Sequence, residues 1–205
     1  MPIRAGTQVE INALEGDWLF IDLGFHTTNE TCGVLKILNP EAEEALGGNF
    51  TFGYTVDVTT NTIHERVRTP LNLVLEAPLS MTFGNAGNPI TRACDTGNGP
   101  PRPWTAGAAP IVTVSAISLL TKLRDAGDAG IEREVRLFEG FVSGRPNLDH
   151  VGVCRLLRDA VWQRQERQIF VGDEIKQNNN DNLLTILWIL GMGPIAVPPV
   201  IRPNL

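Results

Sequence analysis

The chain contains few cysteines, and their spacing indicates neither a disulfide framework nor a metal site. Cys32, Cys94 and Cys154 are odd in number and far apart, and no C-x-x-C pair occurs in the 205 residues. This pattern excludes a zinc knuckle as well as a disulfide-stapled secreted fold. Residues 1–16 contain no continuous apolar run, so no signal peptide is predicted. We therefore expect a protein of the reducing cytoplasm.

The sequence also lacks the motifs of several common catalytic and nucleotide-binding sites. No G-x-G-x-x-G follows the first predicted strand and no G-x-x-x-x-G-K-[ST] occurs, which excludes those two phosphate cradles. His26, His64 and His150 show no H-x-x-x-H or H-E-x-x-H spacing, so we predict surface or helix-capping roles for them. Ser115 lacks the G-x-S-x-G context of an acyl-transfer nucleophile.

The net charge limits which binding partners can be expected, and the chain length limits the number of domains. The formal net charge of −6 argues against broad attraction to nucleic acid, although a local basic patch around a site would supply it. The uncharged run over residues 183–201 is interrupted by glycines and prolines from residue 191 onward, which predicts a core helix and no membrane span. We expect one domain over 1–205, with its core at about 17–190 and an irregular tail at 191–205.

Hydrophobic periodicity predicts a mixed α/β fold. A period of two indicates strands, and apolar residues three and four apart indicate helices. Three strands come first and helices then alternate with strands, which is the order of a mixed sheet opened by a three-stranded antiparallel meander. The predicted strands cover residues 18–23, 31–38, 49–58, 71–75 and 134–138, and the predicted helices cover 60–68, 108–125, 148–164 and 181–190.

Two carboxylates lie at the ends of predicted buried strands. Asp22 follows the apolar run of residues 18–21, and a lone buried carboxylate is strongly unfavourable unless a cation or another partner compensates it. Glu76 ends the strand LNLVL, because Pro78 cannot continue a ladder. Carboxylates at neighbouring strand ends can share a divalent cation, since such hard ions prefer oxygen ligands. We therefore expect a compensating partner or a metal ion near Asp22.

This element order, with Asp22 in the first strand, resembles the ribonuclease-H-like superfamily over most of the chain. The resemblance implies that an Asp of the first strand, an acid at the end of the fourth and an acid on the final helix converge on Mg²⁺ or Mn²⁺. The matching residues are Asp22, Glu76 and Asp181, with Asp173 or Glu174 as a substitute for the third. It further implies that these three acids are the catalytic metal ligands of a nuclease or phosphodiesterase that acts on nucleic acid.

A more specific resemblance lies in the stretch LEAPLSMTFGNAGNPITRACD, residues 75–95, and in Arg102. It is similar to a family of predicted ribonuclease-H-like nucleases that carry an acidic-x-P-[LI] strand end, an R-x-C-D and a further arginine. Residues 84–107 form a long predicted connection, which is typical of a binding loop. We predict that Arg92, Arg102 and Trp104 grip a phosphate and stack on a base or sugar. The matching residues are Glu76, Pro78, Leu79, Arg92, Cys94, Asp95 and Arg102.

Plainer interpretations of the same residues remain open. Asp22 is alternatively a hydrogen-bonded strand-end residue or part of a phosphate loop, since DLGFHTTN is also similar to that loop of actin-like ATPases. Asp181 is alternatively a helix N-cap, and Arg92 is alternatively the partner of a local ion pair with Asp95. The superfamily commonly uses a fourth acid, and without one the chain is a non-catalytic nucleic-acid or protein binding module. The candidates for that acid are Glu65, Glu139 and Asp149.

Overall fold

The computed structural model describes residues 3–24, 29–96, 103–127, 133–142, 147–163, 167–192 and 196–204, which form an α/β fold. The helices are α1 (Gln8–Ala13), α2 (Phe52–His64), α3 (Ala109–Gly127), α4 (His150–Trp162) and α5 (Ile186–Ile189). The strands are β1 (Ile3–Ala5), β2 (Asp17–Asp22), β3 (Cys32–Ile37), β4 (Leu46–Phe50), β5 (Leu71–Glu76), β6 (Ser80–Phe83), β7 (Pro89–Ile90), β8 (Val135–Gly140), β9 (Arg167–Phe170), β10 (Asn182–Thr185) and β11 (Val200–Pro203).

The large sheet has the strand order β4-β3-β2-β5-β8-β11-β9, and β1 pairs with β8 beside this path. Strands β4, β3 and β2 form an antiparallel meander, whereas β2, β5 and β8 run parallel to one another. Strand β1 pairs with the first half of β8, and β11 pairs with its second half. The predicted mixed sheet is therefore confirmed.

Alternation along β2 divides the core between the two faces of the sheet. Leu19 and Ile21 belong to a buried cluster on the side of α2 and α3, and Trp18 and Phe20 belong to a cluster on the side of α4. Because side chains alternate with a period of two along a strand, Asp22 lies on the same face as Trp18 and Phe20. The strand pattern therefore directs the Asp22 carboxylate towards α4.

The strand predicted over residues 49–58 extends beyond the end of β4, and the helix predicted over residues 60–68 begins later than α2. Strand β4 ends at Phe50, and Thr51 caps α2 by accepting a hydrogen bond from Tyr54 N at 3.3 Å. The β-branched residues of α2 fit the helix because three buried threonines donate their hydroxyls to the carbonyls four residues earlier. Tertiary packing on the sheet overrides the strand propensity of this run. These threonines are Thr55, Thr59 and Thr62.

The helix predicted over residues 181–190 is wrong in its first half. Residues 182–185 form β10, which pairs antiparallel with β6 in a separate three-stranded sheet of order β10-β6-β7. Helix α5 is only four residues long and begins after Thr185, whose hydroxyl accepts a hydrogen bond from Leu187 N at 3.3 Å. A short apolar run suits a strand or a helix equally, and here the open edge of β6 decides.

The irregular tail predicted over residues 191–205 contains a strand of the main sheet. Val200 and Ile201 are fully buried in β11, between β8 and β9. The two prolines that precede this strand conceal it in the sequence, because proline is depleted in sheet interiors. Within the described ranges, no helix combines the length and the apolarity that a bilayer crossing requires.

Candidate functional site

Three ionisable side chains lie where the parallel strands end. Asp22 is the last residue of β2 and Glu76 is the last residue of β5, and the two are direct partners in the parallel register. His150 is the first residue of α4, and its Nδ1 lies 2.7 Å from Asp22 Oδ2. The Asp22 side chain is fully buried, whereas the His150 side chain is 28% exposed. The buried carboxylate is therefore paired with a ring that reaches the protein surface.

The start of α4 is attached to two strands, and this attachment places His150. Gly33 of β3 lies against the first turn, since a Cβ at this position would be 2.2 Å from the carbonyl carbon and oxygen of His150. Asn49 of β4 donates a hydrogen bond to Asp149 Oδ2 at 2.9 Å, and Asn49 Oδ1 accepts one from Val151 N at 2.8 Å. The ring of His150 thus reaches Asp22 because the helix cannot shift along the sheet.

Asp149 caps α4, and its removal should loosen this attachment. Asp149 Oδ1 accepts a hydrogen bond from Gly152 N at 2.9 Å, and the hydrogen bond from Asn49 lowers the pKa of the Asp149 carboxyl. We expect Asp149→Ala to lower the free energy of unfolding by about 1 kcal/mol, and Asp149→Asn, which keeps a capping oxygen, to lower it by roughly 0.3 kcal/mol. Urea denaturation at neutral pH measures both values.

The pH dependence of this cap follows from the lowered pKa of Asp149. A carboxyl whose folded pKa lies below its unfolded value of about 3.9 stabilises the fold fully above that value. The contribution is then lost as the pH falls through the folded pKa. The difference between wild type and Asp149→Ala should therefore shrink below about pH 4. A difference that stays constant down to about pH 2 would contradict a charge-dependent role for this cap.

A cavity of about 350 Å³ opens beside Glu76 and His150, and Leu23, the residue after Asp22, also lines it. Glu76 and His150 line it, and most of its remaining lining is apolar, including Leu23, Pro78 and Phe141. Residues 106–109, at the start of α3, complete the lining together with further apolar residues. Ligands of α/β sheets commonly bind outside the carboxyl ends of parallel strands, which is where this cavity lies.

The two carboxylates fit a hard divalent cation that keeps much of its water. Mg²⁺ is usually held through one or two carboxylates, with water and substrate phosphate completing its shell. Asp22 and Glu76 supply two carboxylates from adjacent strand ends on one face of the sheet. Among the residues that the structure describes, no group of three or more His, Cys, Asp and Glu side chains could hold a metal ion. The described part of the chain therefore offers a carboxylate pair and not a larger cluster.

The predicted third ligand, Asp181, lies in a turn and not on a helix. Asp181 Oδ2 accepts a hydrogen bond from Asn178 N at 2.8 Å, and the residue is 6% exposed just before β10 of the smaller sheet. The predicted placement at the start of the last helix is wrong, because β10 occupies that position. The substitutes also have other partners nearby: Asp173 forms an ion pair with Lys176, and Glu174 accepts a hydrogen bond from Val171 N.

Arg92 is buried and holds carboxylates of the protein itself. Its Nε and Nη2 donate to Asp95 Oδ1 at 3.0 and 2.8 Å, and its Nη1 donates to Glu139 Oε2 at 2.9 Å and to the carbonyl oxygen of Ser80 at 3.1 Å. The side chains of Arg92, Asp95 and Glu139 are all fully buried. The burial of this guanidinium and its use of its donors within the protein speak against the predicted phosphate contact of Arg92. The alternative, an ion pair with Asp95, is confirmed.

Of the other two predicted substrate residues, the structure describes Trp104. Trp104 is half-buried, donates its indole Nε1–H to the carbonyl oxygen of Ile90 at 2.9 Å, and packs edge-on against Phe83 with ring centroids 5.7 Å apart. The indole thus joins the loop to β7, and a stacking role for it stays a prediction. Arg102 lies outside the described residues.

The candidates for a fourth acid do not join Asp22 and Glu76. Alternation along β8 places Glu139 on the opposite face of the sheet, where burial raises the pKa of its carboxyl although Arg92 lies beside it. Its Oε1 is 2.7 Å from Arg92 Nη1 but has no hydrogen-bond partner, because the angle of this contact is unsuitable. Glu65 forms an ion pair with Lys36, and Asp149 caps α4.

His150 is the site residue that sequence reasoning missed. The absence of another histidine at metal-ligand spacing predicts only a surface or capping role for it. The available signal was its place at the start of an amphipathic helix that follows β8, next to the capping Asp149. No protein-family model, no curated protein and no solved structure matches the chain. What this site does must therefore be inferred from the residues that form it.

Proposed function

We propose that the chain is a metal-dependent phosphodiesterase of ribonuclease-H-like fold that acts on nucleic acid. The observation that carries this proposal is the carboxylate pair: Asp22 and Glu76 end adjacent parallel strands in direct register, beside a cavity. Carboxylates at adjacent strand ends can share a divalent cation, because hard cations prefer oxygen ligands. A divalent cation with substrate phosphate is the ligand that such a pair suits best.

The order of the sheet supports the ribonuclease-H-like interpretation. The resemblance implies that the acid of the first meander strand and the acid at the end of the fourth strand lie together, which requires these two strands to be neighbours. In the large sheet, β2 lies between β3 of the meander and β5, the fourth strand of the predicted order. Helix α4, which follows the next parallel strand, carries His150 and reaches Asp22.

Each residue of the site has a distinct role in this proposal. Asp22 and Glu76 would hold Mg²⁺ or Mn²⁺, which supplies charge stabilisation to the phosphodiester oxygens when bound. With Nδ1–H of His150 donating to Asp22 Oδ2, a neutral ring would carry a lone pair on Nε2. Nε2 can then take the proton of an attacking water, and Asp22 keeps the ring in the required orientation.

Calorimetric titration with Mn²⁺ tests the proposal. We expect Asp22→Asn and Glu76→Gln each to weaken Mn²⁺ binding at least about ten-fold, since each removes one negative oxygen ligand and keeps the shape of the side chain. The rate at which each variant cleaves an oligonucleotide in Mn²⁺ should fall together with its Mn²⁺ affinity. Asp181→Asn is the matched control and should keep the wild-type affinity. Equal Mn²⁺ affinity of wild type and Asp22→Asn would refute the assignment.

A second candidate is a non-catalytic module of the same fold that binds nucleic acid or a protein. The observation that favours it is that the described residues contain no group of three or more metal-ligating side chains. This candidate predicts that the protein binds an oligonucleotide equally well in Mn²⁺ and in EDTA. It also predicts that no cleavage product appears and that Asp22→Asn leaves binding unchanged.

A further inference from the structure

The cavity beside Glu76 and His150 has a polar part and an apolar part. Glu76 and His150 contribute the ionisable groups of its described lining, next to the strand ends. Phe141, Ala109 and Val112 belong to its apolar lining. A ligand that fills this space must therefore combine one polar or charged group with a compact apolar body. A nucleoside joined to a phosphodiester has this composition, because the phosphate is charged and both faces of the base are apolar.

The size of the cavity limits how much of a strand can enter. Its volume of about 350 Å³ is at the lower end of the range for sites that hold small organic ligands. One base with its sugar is of this size, whereas a base pair within a duplex is much larger. Phe141, which is 8% exposed, is one of the lining residues, and bases stack on aromatic rings with little regard to sequence.

We propose that this cavity binds one unpaired nucleoside of the substrate, with its base against the apolar wall and the adjoining phosphodiester beside Asp22 and Glu76. The inference rests on the proposed function and specifies the substrate class. A paired base cannot enter without leaving its stack, which is unfavourable for an intact duplex and least so for a single strand or a frayed end. The substrate is therefore single-stranded at the nucleotide that is bound.

Filling the cavity tests this proposal. Ala109→Phe places a large side chain at the start of α3, in the lining. Ala106→Trp is a second variant at an exposed position of the lining, which keeps the test valid if Ala109→Phe folds poorly. Ser118→Phe adds the same bulk as the first variant at an exposed position of α3 outside the cavity and is the matched control. The probe is a fluorescein-labelled single strand of eight thymidines, with a blunt duplex of the same strand as competitor.

Fluorescence anisotropy is measured in EDTA, where no phosphodiester is cut, and again in Mn²⁺. We expect wild type to bind the single strand at least about ten-fold more tightly than the duplex, and both cavity variants to lose about ten-fold in affinity for the single strand. Ser118→Phe should stay within about two-fold of wild type. Equal affinity of wild type and the folded cavity variants for the single strand would overturn the inference, as would equal affinity of wild type for single strand and duplex.

Mn²⁺ titration of the same proteins separates the two proposals. The cavity variants keep Asp22 and Glu76, so we expect their Mn²⁺ affinity to equal that of wild type. If Mn²⁺ fails to bind wild type while the cavity variants lose the single strand, the nucleoside site stands and the catalytic proposal fails. If Mn²⁺ binding depends on Asp22 but the cavity variants keep the single strand, the catalytic proposal stands and the nucleoside site fails.

Discussion

Replacing Arg92 with alanine should lower the free energy of unfolding by about 3–5 kcal/mol, because it leaves two buried carboxylates without their cation. Asp95 and Glu139 are both fully buried, and Arg92 is hydrogen-bonded to each. Attraction to these carboxylates raises the pKa of the Arg92 guanidinium against the opposing effect of burial, so it stays charged. Urea denaturation at neutral pH measures the loss.

The matched control for Arg92→Ala is Arg155→Ala. Arg155 forms an ion pair with Glu44, but the Arg155 side chain is 44% exposed, and exposed pairs contribute less than about 1 kcal/mol. A variant Arg92→Ala that is as stable as wild type and specifically loses oligonucleotide binding would restore the predicted phosphate clamp. The structure instead indicates that Arg92 joins the connection after β7 to the end of β8.

Replacing Gly33 with alanine should destabilise the fold by about 1–3 kcal/mol and separate His150 from Asp22. The added Cβ would lie 2.2 Å from the His150 carbonyl carbon and 2.6 Å from Val151 N, and both are backbone atoms that cannot rotate away. The first turn of α4 must therefore move off the sheet. The expected result is a lower urea midpoint together with a changed environment of the His150 ring, which NMR of the imidazole protons reports.

Gly53→Ala is the matched control for this prediction. Gly53 lies at an exposed position of α2, and a Cβ there would have no atom within 4 Å. Alanine in a helix is favoured over glycine, so this variant should gain roughly 0.4–1 kcal/mol. If Gly33→Ala behaved like Gly53→Ala, the close approach of β3 and α4 would not be what places His150.

Features decided within one strand or one helical turn were largely predictable. The continuous apolar run that precedes Asp22 predicts a buried strand over residues 18–23. Pro78 ends β5 just after Glu76, since proline cannot donate to a ladder. Asp149 caps α4 as its residue type predicts. Helix α1 carries a comparable signal, a capping box of Thr7 and Glu10, although the helix itself was not predicted.

Features that depend on distant partners were not predictable from local pattern. The ion pair between Arg92 and Glu139 joins residues 47 positions apart, so nothing near Arg92 shows that it is buried. The run after Asp181 becomes β10 because β6 offers it an edge, about 100 positions away in the sequence. In both cases a residue assigned to a site serves the fold, because burial is decided by packing between elements.

The candidate site likewise combines features that the local sequence determines with features that depend on distant elements. The sequence by itself determined that Asp22 and Glu76 end buried strands, because strand period and proline chemistry act over a few residues. Only the tertiary structure decided that these strands are neighbours in register and that His150, 128 positions from Asp22, completes the group. It also decided that Asp181 and Arg92 lie elsewhere. Contacts at such separations form only when the sheet and its helices pack, and local propensity contains no information about which distant elements meet.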